Sequence, residues 1–253
     1  MKRIEIFKEL IGMSRNLGDP ANDYVILGEG NTSALCDDQT FWVKASGTQL
    51  RTIEADGFVE VSFERALAML DGPDLSDGEV KEALIEAKAD PAAKGHPSVE
   101  TAMHAVCLQL PGINFVGHTH PTAINILTCS AAFEESIAGR LFPDEIVVCG
   151  PAPVMIPYVD PGLPLAREIR QRVMAFLELY GEPPKTILMQ NHGFIALGRT
   201  TQQVENITAM AVKTARILAG TYMLGGPRFM TQEAVNRIHT RPDEHYRQRI
   251  IGT

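Results

Sequence analysis

None of the four cysteines, Cys36, Cys107, Cys129 and Cys149, belongs to a CxxC pair, and all are widely spaced. That spacing predicts packed, reduced thiols rather than a disulfide framework. No uninterrupted apolar run is long enough to span a bilayer. The opening residues, Met1-Lys2-Arg3-Ile4-Glu5-Ile6-Phe7-Lys8-Glu9, mix charges among apolar positions and lack the apolar core of a secretory leader. Positive charge is in deficit, with 23 Lys and Arg against 31 Asp and Glu for a net charge of −8. Non-specific hold on nucleic acid or on an anionic membrane is therefore not expected, although a local basic pocket is compatible with it. Internal repeats and low-complexity tracts are also missing. A soluble, cytoplasmic protein is expected.

What is present is ordinary for a globular fold: 45% apolar and 21% charged residues. Disorder, collagen and coiled coil are excluded. A length of 253 residues is long for one small domain and short for two full ones. A single domain over 1–253 is expected, with 224–253 as a C-terminal extension. The extension is polar, and docking on a neighbouring copy would account for it.

Apolar spacing over Ile4–Leu17 predicts an amphipathic helix that Gly18-Asp19-Pro20 stops. Short β-like runs follow at Tyr24–Leu27, Ser33–Leu35, Phe41–Val43 and Val59–Ser62. Helices are expected over Glu64–Leu70, over Val80–Ala89 and from Pro97 through Glu100 and His104 to about Leu110. Ile113–His120 reads as a strand, and Pro121 starts a short helix. Glu145–Cys149 and Val154–Pro157 look strand-like. Pro164–Tyr180 is a helix, Thr186–Met189 and Phe194–Leu197 are strands, and Thr201–Met223 is a long helix. There is no regular βαβ rhythm. The pattern suits helices layered around a largely antiparallel sheet.

The sharpest local motif is Gly117-His118-Thr119-His120-Pro121. Residues i and i+2 of a strand face one side, so His118 and His120 can point at one ion. Two imidazoles supply half of a tetrahedral zinc site. An HxH pair alone is a weak signal, but Pro121 sets this pair at a strand end, where sites are commonly built. Gln190-Asn191-His192-Gly193 lies at a turn between two apolar runs. His192 there is either a surface residue or a third nitrogen ligand, with Gly193 allowing close backbone approach. In His96-Pro97-Ser98-Val99-Glu100, the acid falls in the expected first helical turn. It is either a dipole-compensating surface group or a general base facing a metal. His104 shares its face and reads as a buried hydrogen-bonding support rather than a ligand. Two small polar loops, Gly28-Glu29-Gly30-Asn31-Thr32-Ser33 and Lys44-Ala45-Ser46-Gly47-Thr48, suit oxyanions, although each singly reads as a hairpin turn. The first is not a dinucleotide fingerprint, because it lacks the GxGxxG spacing and runs on into a strand.

In this order, Gly30-Asn31-Thr32-Ser33, Ser46-Gly47, Pro97-Ser98-x-Glu100-x-x-x-His104, His118-x-His120-Pro121 and Asn191-His192-Gly193 resemble the class II aldolase/adducin family across about residues 5–225. The resemblance implies an α/β fold, a three-layer α/β/α domain with a central, mostly antiparallel sheet. It implies one zinc, or another divalent ion, per chain on His118, His120 and His192, with Glu100 as the acid/base residue. It implies a substrate phosphate held by Asn31, Ser46, Gly47 and Ser98, and a proton-donating tyrosine, for which Tyr246 is the loosely matching position. It implies a homo-oligomer, most often a tetramer with sites at subunit interfaces. The activity implied is reversible aldol cleavage of a sugar phosphate or related hydroxy-ketone through a metal-stabilised enediolate. Epimerisation, dehydration or decarboxylation of a sugar or sugar-acid phosphate would use the same site. A non-catalytic, adducin-like assembly domain would lack the histidines retained here. Many aldolases of the family read Ser-Ser-Glu where this chain has Ser98-Val99-Glu100, so one phosphate-binding hydroxyl is missing.

Overall fold

Alternate burial on two faces organises the molecule. In a computed structural model describing residues 2–244, seven strands form one sheet in the order β3-β2-β1-β4-β7-β6-β5. They are β1 (Asn31–Leu35), β2 (Thr40–Lys44), β3 (Phe58–Ser62), β4 (Phe115–Thr119), β5 (Val154–Ile156), β6 (Thr186–Met189) and β7 (Gly193–Gly198). All neighbouring pairs are antiparallel except β5 with β6. Along the strands, successive side chains enter opposite cores. Phe41, Val43, Val116, Ile195 and Leu197 pack on one side, and Trp42, Phe115, Phe194 and Ala196 on the other. A sheet covered on both faces reads as continuous apolar sequence, which is why β7 is buried at every position.

The helices are α1 (Arg3–Leu17), α2 (Phe63–Asp71), α3 (Asp77–Glu86), α4 (Thr101–Leu108), α5 (Thr122–Thr128), α6 (Phe133–Ser136), α7 (Pro143–Cys149), α8 (Leu163–Tyr180), α9 (Thr201–Tyr222) and α10 (Gln232–His239). Helices α2, α3, α4 and α8 contribute to the first core, and α1, α5, α7 and α9 to the second. This is the expected three-layer α/β/α arrangement.

Three expectations need correction. Glu145–Cys149 is the body of α7, not a strand. Pro143 sits in the first turn with Asp144 and Glu145, a favourable helix start that outweighs the β-branched Val147 and Val148. Tyr24–Leu27 is a loop, because Asp23 (φ 56°) and Leu27 (φ 51°) turn the chain through the left-handed region. Helix α4 starts at Thr101 rather than Pro97. Pro97 bridges Ala45 in extended conformation, so the helix begins only after Glu100, which becomes its N-cap.

In the C-terminal stretch, the Met230 N–H donates to the Arg140 carbonyl (2.8 Å). The Phe229 ring lies against Gly139, and Val235 of α10 is buried. Those residues pack on their own chain. No helix among the described residues is long and apolar enough to cross a membrane.

Candidate metal centre

Antiparallel register builds the site at one end of the sheet. Asn31 at the start of β1 pairs with His118 near the end of β4, so both point to the face that α4 covers. His120 follows β4 by one residue, and its N–H is held by the Tyr24 carbonyl (2.9 Å). His192 comes from the β6–β7 turn, where Asn191 adopts a left-handed φ of 53° and the His192 N–H donates to Met189 O (3.2 Å). Asn125 Nδ2 of α5 donates to the His192 carbonyl (3.3 Å).

One ligand nitrogen from each of His118, His120 and His192 lies within 4.8 Å of the others. Nε2 of His118 and Nε2 of His120 are 3.0 Å apart. Nδ1 of His118 is 3.0 Å from the Phe194 carbonyl. A carbonyl only accepts, so Nδ1 carries the proton and Nε2 presents a lone pair to the cluster. Two nitrogens on one tetrahedral zinc at about 2.0–2.1 Å would stand about 3.3 Å apart, close to the separation seen. Burial pushes the His118 imidazole down to about 4, Glu100 offsetting only part of that. Burial, with His118 and His192, pushes His120 down to about 3. Neutral imidazoles are the form that binds metal. Gly193 makes the close approach possible: a Cβ there would stand 2.6 Å from His120 Cδ2 and 2.7 Å from Thr119 O.

Glu100 closes the cluster from the helical side. Its Oε2 accepts from Asn31 Nδ2 (2.6 Å) and lies 3.5 Å from His118 Nε2. Its Oε1 lies 3.2 Å from His192 Nε2, yet in an orientation that makes no hydrogen bond, leaving a buried oxygen without a donor among the described residues. Burial would raise this carboxyl, but His118, His192 and the Asn31 amide outweigh it and hold it well below the usual carboxylate range. Three converging imidazoles beside a buried anion with an orphaned oxygen fit a divalent cation.

A second hydrogen-bond tier fixes Asn31. Ser33, two residues along the same face of β1, meets Nδ1 of His104 (2.7 Å). Nε2 of His104 bonds the Asn31 carbonyl oxygen. That oxygen only accepts, so the proton sits on Nε2 and Ser33 donates to Nδ1. His104 is wholly buried, the support expected from its position. It thereby orients the Asn31 amide, whose N–H groups point to Glu100 Oε2 and, at 3.3 Å, to Ser98 Oγ.

Of the residues expected at an oxyanion site, Ser98 also accepts from the Glu100 N–H (3.3 Å). Ser46 N–H donates to His96 O (2.8 Å). Ser46 and Gly47 line a groove of about 1150 Å³ together with Val99, Lys81 and Leu163. Tyr246 lies outside the described residues. Lys44 belongs to the second polar loop, but the sequence gives it no separate role. It ends β2 and is buried, and its ammonium donates to Gly28 O (3.3 Å). Burial lowers it, with Glu100 pulling the other way. An inward lysine at a strand end beside a glycine-serine loop is the signal that could have found it.

Residues 8–219 match the Class II Aldolase and Adducin N-terminal domain. The chain is 29% identical over 196 residues to the Uncharacterized oxidoreductase YuxG of Bacillus subtilis (strain 168), covering 74% of this chain and 26% of that protein. It thus spans about a quarter of the length of that relative. The N-terminal class II aldolase domain of a conserved protein from Thermoplasma acidophilum superposes with a TM-score of 0.67 at 28% identity, over 83% of this chain and 92% of that one. An L-fuculose 1-phosphate aldolase shares the fold with a TM-score of 0.66 at 18% identity, over 93% and 94% of the two chains.

Proposed function

The chain belongs to the class II aldolase and adducin family, and we propose that it is a zinc-dependent aldolase that reversibly cleaves a sugar phosphate or related hydroxy-ketone. One observation carries this reading: Glu100 faces His118 and His192 with one oxygen tied down and the other without a donor. An assembly domain has no use for a buried carboxylate poised against three convergent imidazoles.

His118, His120 and His192 would hold one zinc ion per chain. When bound, the ion supplies Lewis acidity that polarises a carbonyl and offsets charge developing on its oxygen. Glu100 Oε1 takes a proton from, or returns it to, the carbon next to that carbonyl. Asn31 keeps Oε2 in place so that the two oxygens do not exchange roles, and His104 keeps Asn31 from flipping. Ser46, the Gly47 N–H, Ser98 and the Lys44 ammonium hold the anionic end of the substrate. Asn31 can join them only by releasing its longer bond to Ser98. Val99 offers no donor at the groove, so grip on phosphate is weaker there by one charged hydrogen bond, worth about 1.5–3 kcal/mol. A homo-oligomer, most simply a tetramer, is proposed from the family habit of assembling.

The test is a metal assay joined to a retro-aldol screen. Zinc-loaded protein is offered sugar phosphates and free hydroxy-ketones, and aldehyde products are trapped. One zinc per chain, reduced in His118→Ala with the fold kept, and an aldehyde from at least one ketose are the expected results. Full zinc retention in the single alanine variants of all three histidines would refute the metal assignment. An epimer, a dehydrated product or carbon dioxide in place of an aldehyde would assign the same site to one of the other family chemistries.

A further inference from the structure

The Gly28-Glu29-Gly30 loop carries an acid where an anion cradle would want none. The Glu29 N–H donates to the Ile26 carbonyl (3.0 Å), and Glu29 Oε2 accepts from the Ile26 N–H (2.9 Å). This reciprocal pair closes a turn through Leu27, whose left-handed φ is 51°. With Oε2 so engaged, Oε1 stands 3.9 Å from His120 Nδ1, a charge-to-ring contact longer than a hydrogen bond. The opposite nitrogen, Nε2, is the one that meets His118. The His120 ring therefore lies between the imidazole cluster and a carboxylate. Its Cδ2 edge lies against Gly193, where a Cβ would be 2.6 Å away. His118 finds the matching partner for its own Nδ1 in the Phe194 carbonyl. Glu29 Oε1 occupies the corresponding side of His120 at the longer distance of 3.9 Å.

We propose that Glu29 is a positioning residue for His120: its carboxylate holds the proton on Nδ1 and so presents the Nε2 lone pair to a divalent cation. The inference rests on the metal reading above. Carboxylate–imidazole–metal arrangements fix the ring orientation and tautomer and raise ligand basicity, and loss of such a partner costs about 10–100-fold in metal affinity. Because the Glu29 side chain is 38% exposed, water can partly replace it, so an effect near 10-fold is expected. The assignment gives the loop a role on the cation side of the site rather than the oxyanion side.

The experiment compares zinc affinity of the full chain by chelator competition, for wild type and Glu29→Gln. A glutamine can still accept from the Ile26 N–H, so the turn is kept and only the charge is removed. The cobalt(II)-loaded proteins are compared by visible absorption, and the metal-free proteins by thermal unfolding. Support consists of about 10-fold weaker zinc binding in Glu29→Gln, a small shift of the cobalt bands at unchanged intensity, and equal metal-free melting. Equal zinc affinity in both proteins overturns the inference and leaves the metal reading intact. Wild-type protein that binds no zinc overturns both. A fall in metal-free melting that accompanies the loss of affinity assigns Glu29 to loop structure instead. A change in cobalt band intensity that marks the loss of an oxygen donor makes Glu29 a direct ligand. Either result refutes the positioning role.

Discussion

Glu100 has two oxygens in unlike surroundings, one bonded to Asn31 and one turned to His192 without a donor. Glutamine at this position keeps the size and an acceptor for Asn31 but cannot take up a proton. Glu100→Gln is expected to keep its zinc and to lose about 10²–10⁴ in turnover, the usual worth of a general acid–base group. Turnover on the ketose found by the retro-aldol screen, measured beside zinc content, checks this, and a loss of only a few-fold would remove Glu100 from the proton transfer. The sequence marked Glu100 through its neighbours Pro97, Ser98 and His104, even though it placed the acid inside a helix rather than at the N-cap. The alternation of His118 and His120 was readable because strand geometry alone puts them on one face. Lys44 and Glu29 lie in the two polar loops the sequence marked, but their individual placement was not readable. The burial of Lys44 and the position of Glu29 depend on how loops distant in sequence fold against each other, and no period in the sequence encodes that.

Among elements, all the expected helices form, as do all but two of the expected strands. Those with both faces buried, such as Phe194–Leu197, show as unbroken apolar runs bounded by turn residues. Glu145–Cys149 resembles a strand through its β-branched Val147 and Val148, but the proline and acids that start α7 prevail. The late start of α4 was hidden because the Pro97 bridge to Ala45 is a tertiary contact. Strand β7 also shows how tightly β4 and the His192 turn are pressed together. A methyl group at Gly193 would meet the Thr119 carbonyl and the His120 ring at once. Backbone cannot give way as a flexible side chain can, so Gly193→Ala should cost about 1–3 kcal/mol in stability by overpacking. It should also weaken zinc binding, because His120 must move. Urea unfolding of metal-free protein and a zinc titration measure the two effects. A variant with unchanged stability and affinity would show that the β4–β7 contact is looser than described.

At the scale of the whole molecule, buried neutral imidazoles set the acid limit. Burial, reinforced by Lys44 and opposed by Glu100, pushes His104 down to about 4, against about 6.5 when unfolded. Between those values the unfolded chain binds the extra proton, so stability rises with pH. The His104 contribution is full above pH 6.5 and falls away as the pH drops toward 4, by about 3 kcal/mol in all. His118 and His120 move in the same direction. Glu100, held low in the native state, adds to the loss once its unfolded form begins to protonate. Metal-free protein should therefore lose urea resistance steadily from pH 6.5 to 4.5, and His104→Asn should show a shallower slope. Equal slopes would mean that His104 is not buried neutral. The sheet order has a consequence for how the chain reaches this state. Strand β4 pairs with β1 on one side and β7 on the other, so its neighbours come from opposite ends of the sequence. Non-local pairing of this kind is slow, because loop closure is paid in entropy before contacts reward it. The three histidines need only the β4–β7 pairing, whereas Asn31, which holds Glu100 beside them, joins only when β1 also pairs with β4, so the complete site depends on both long-range pairings.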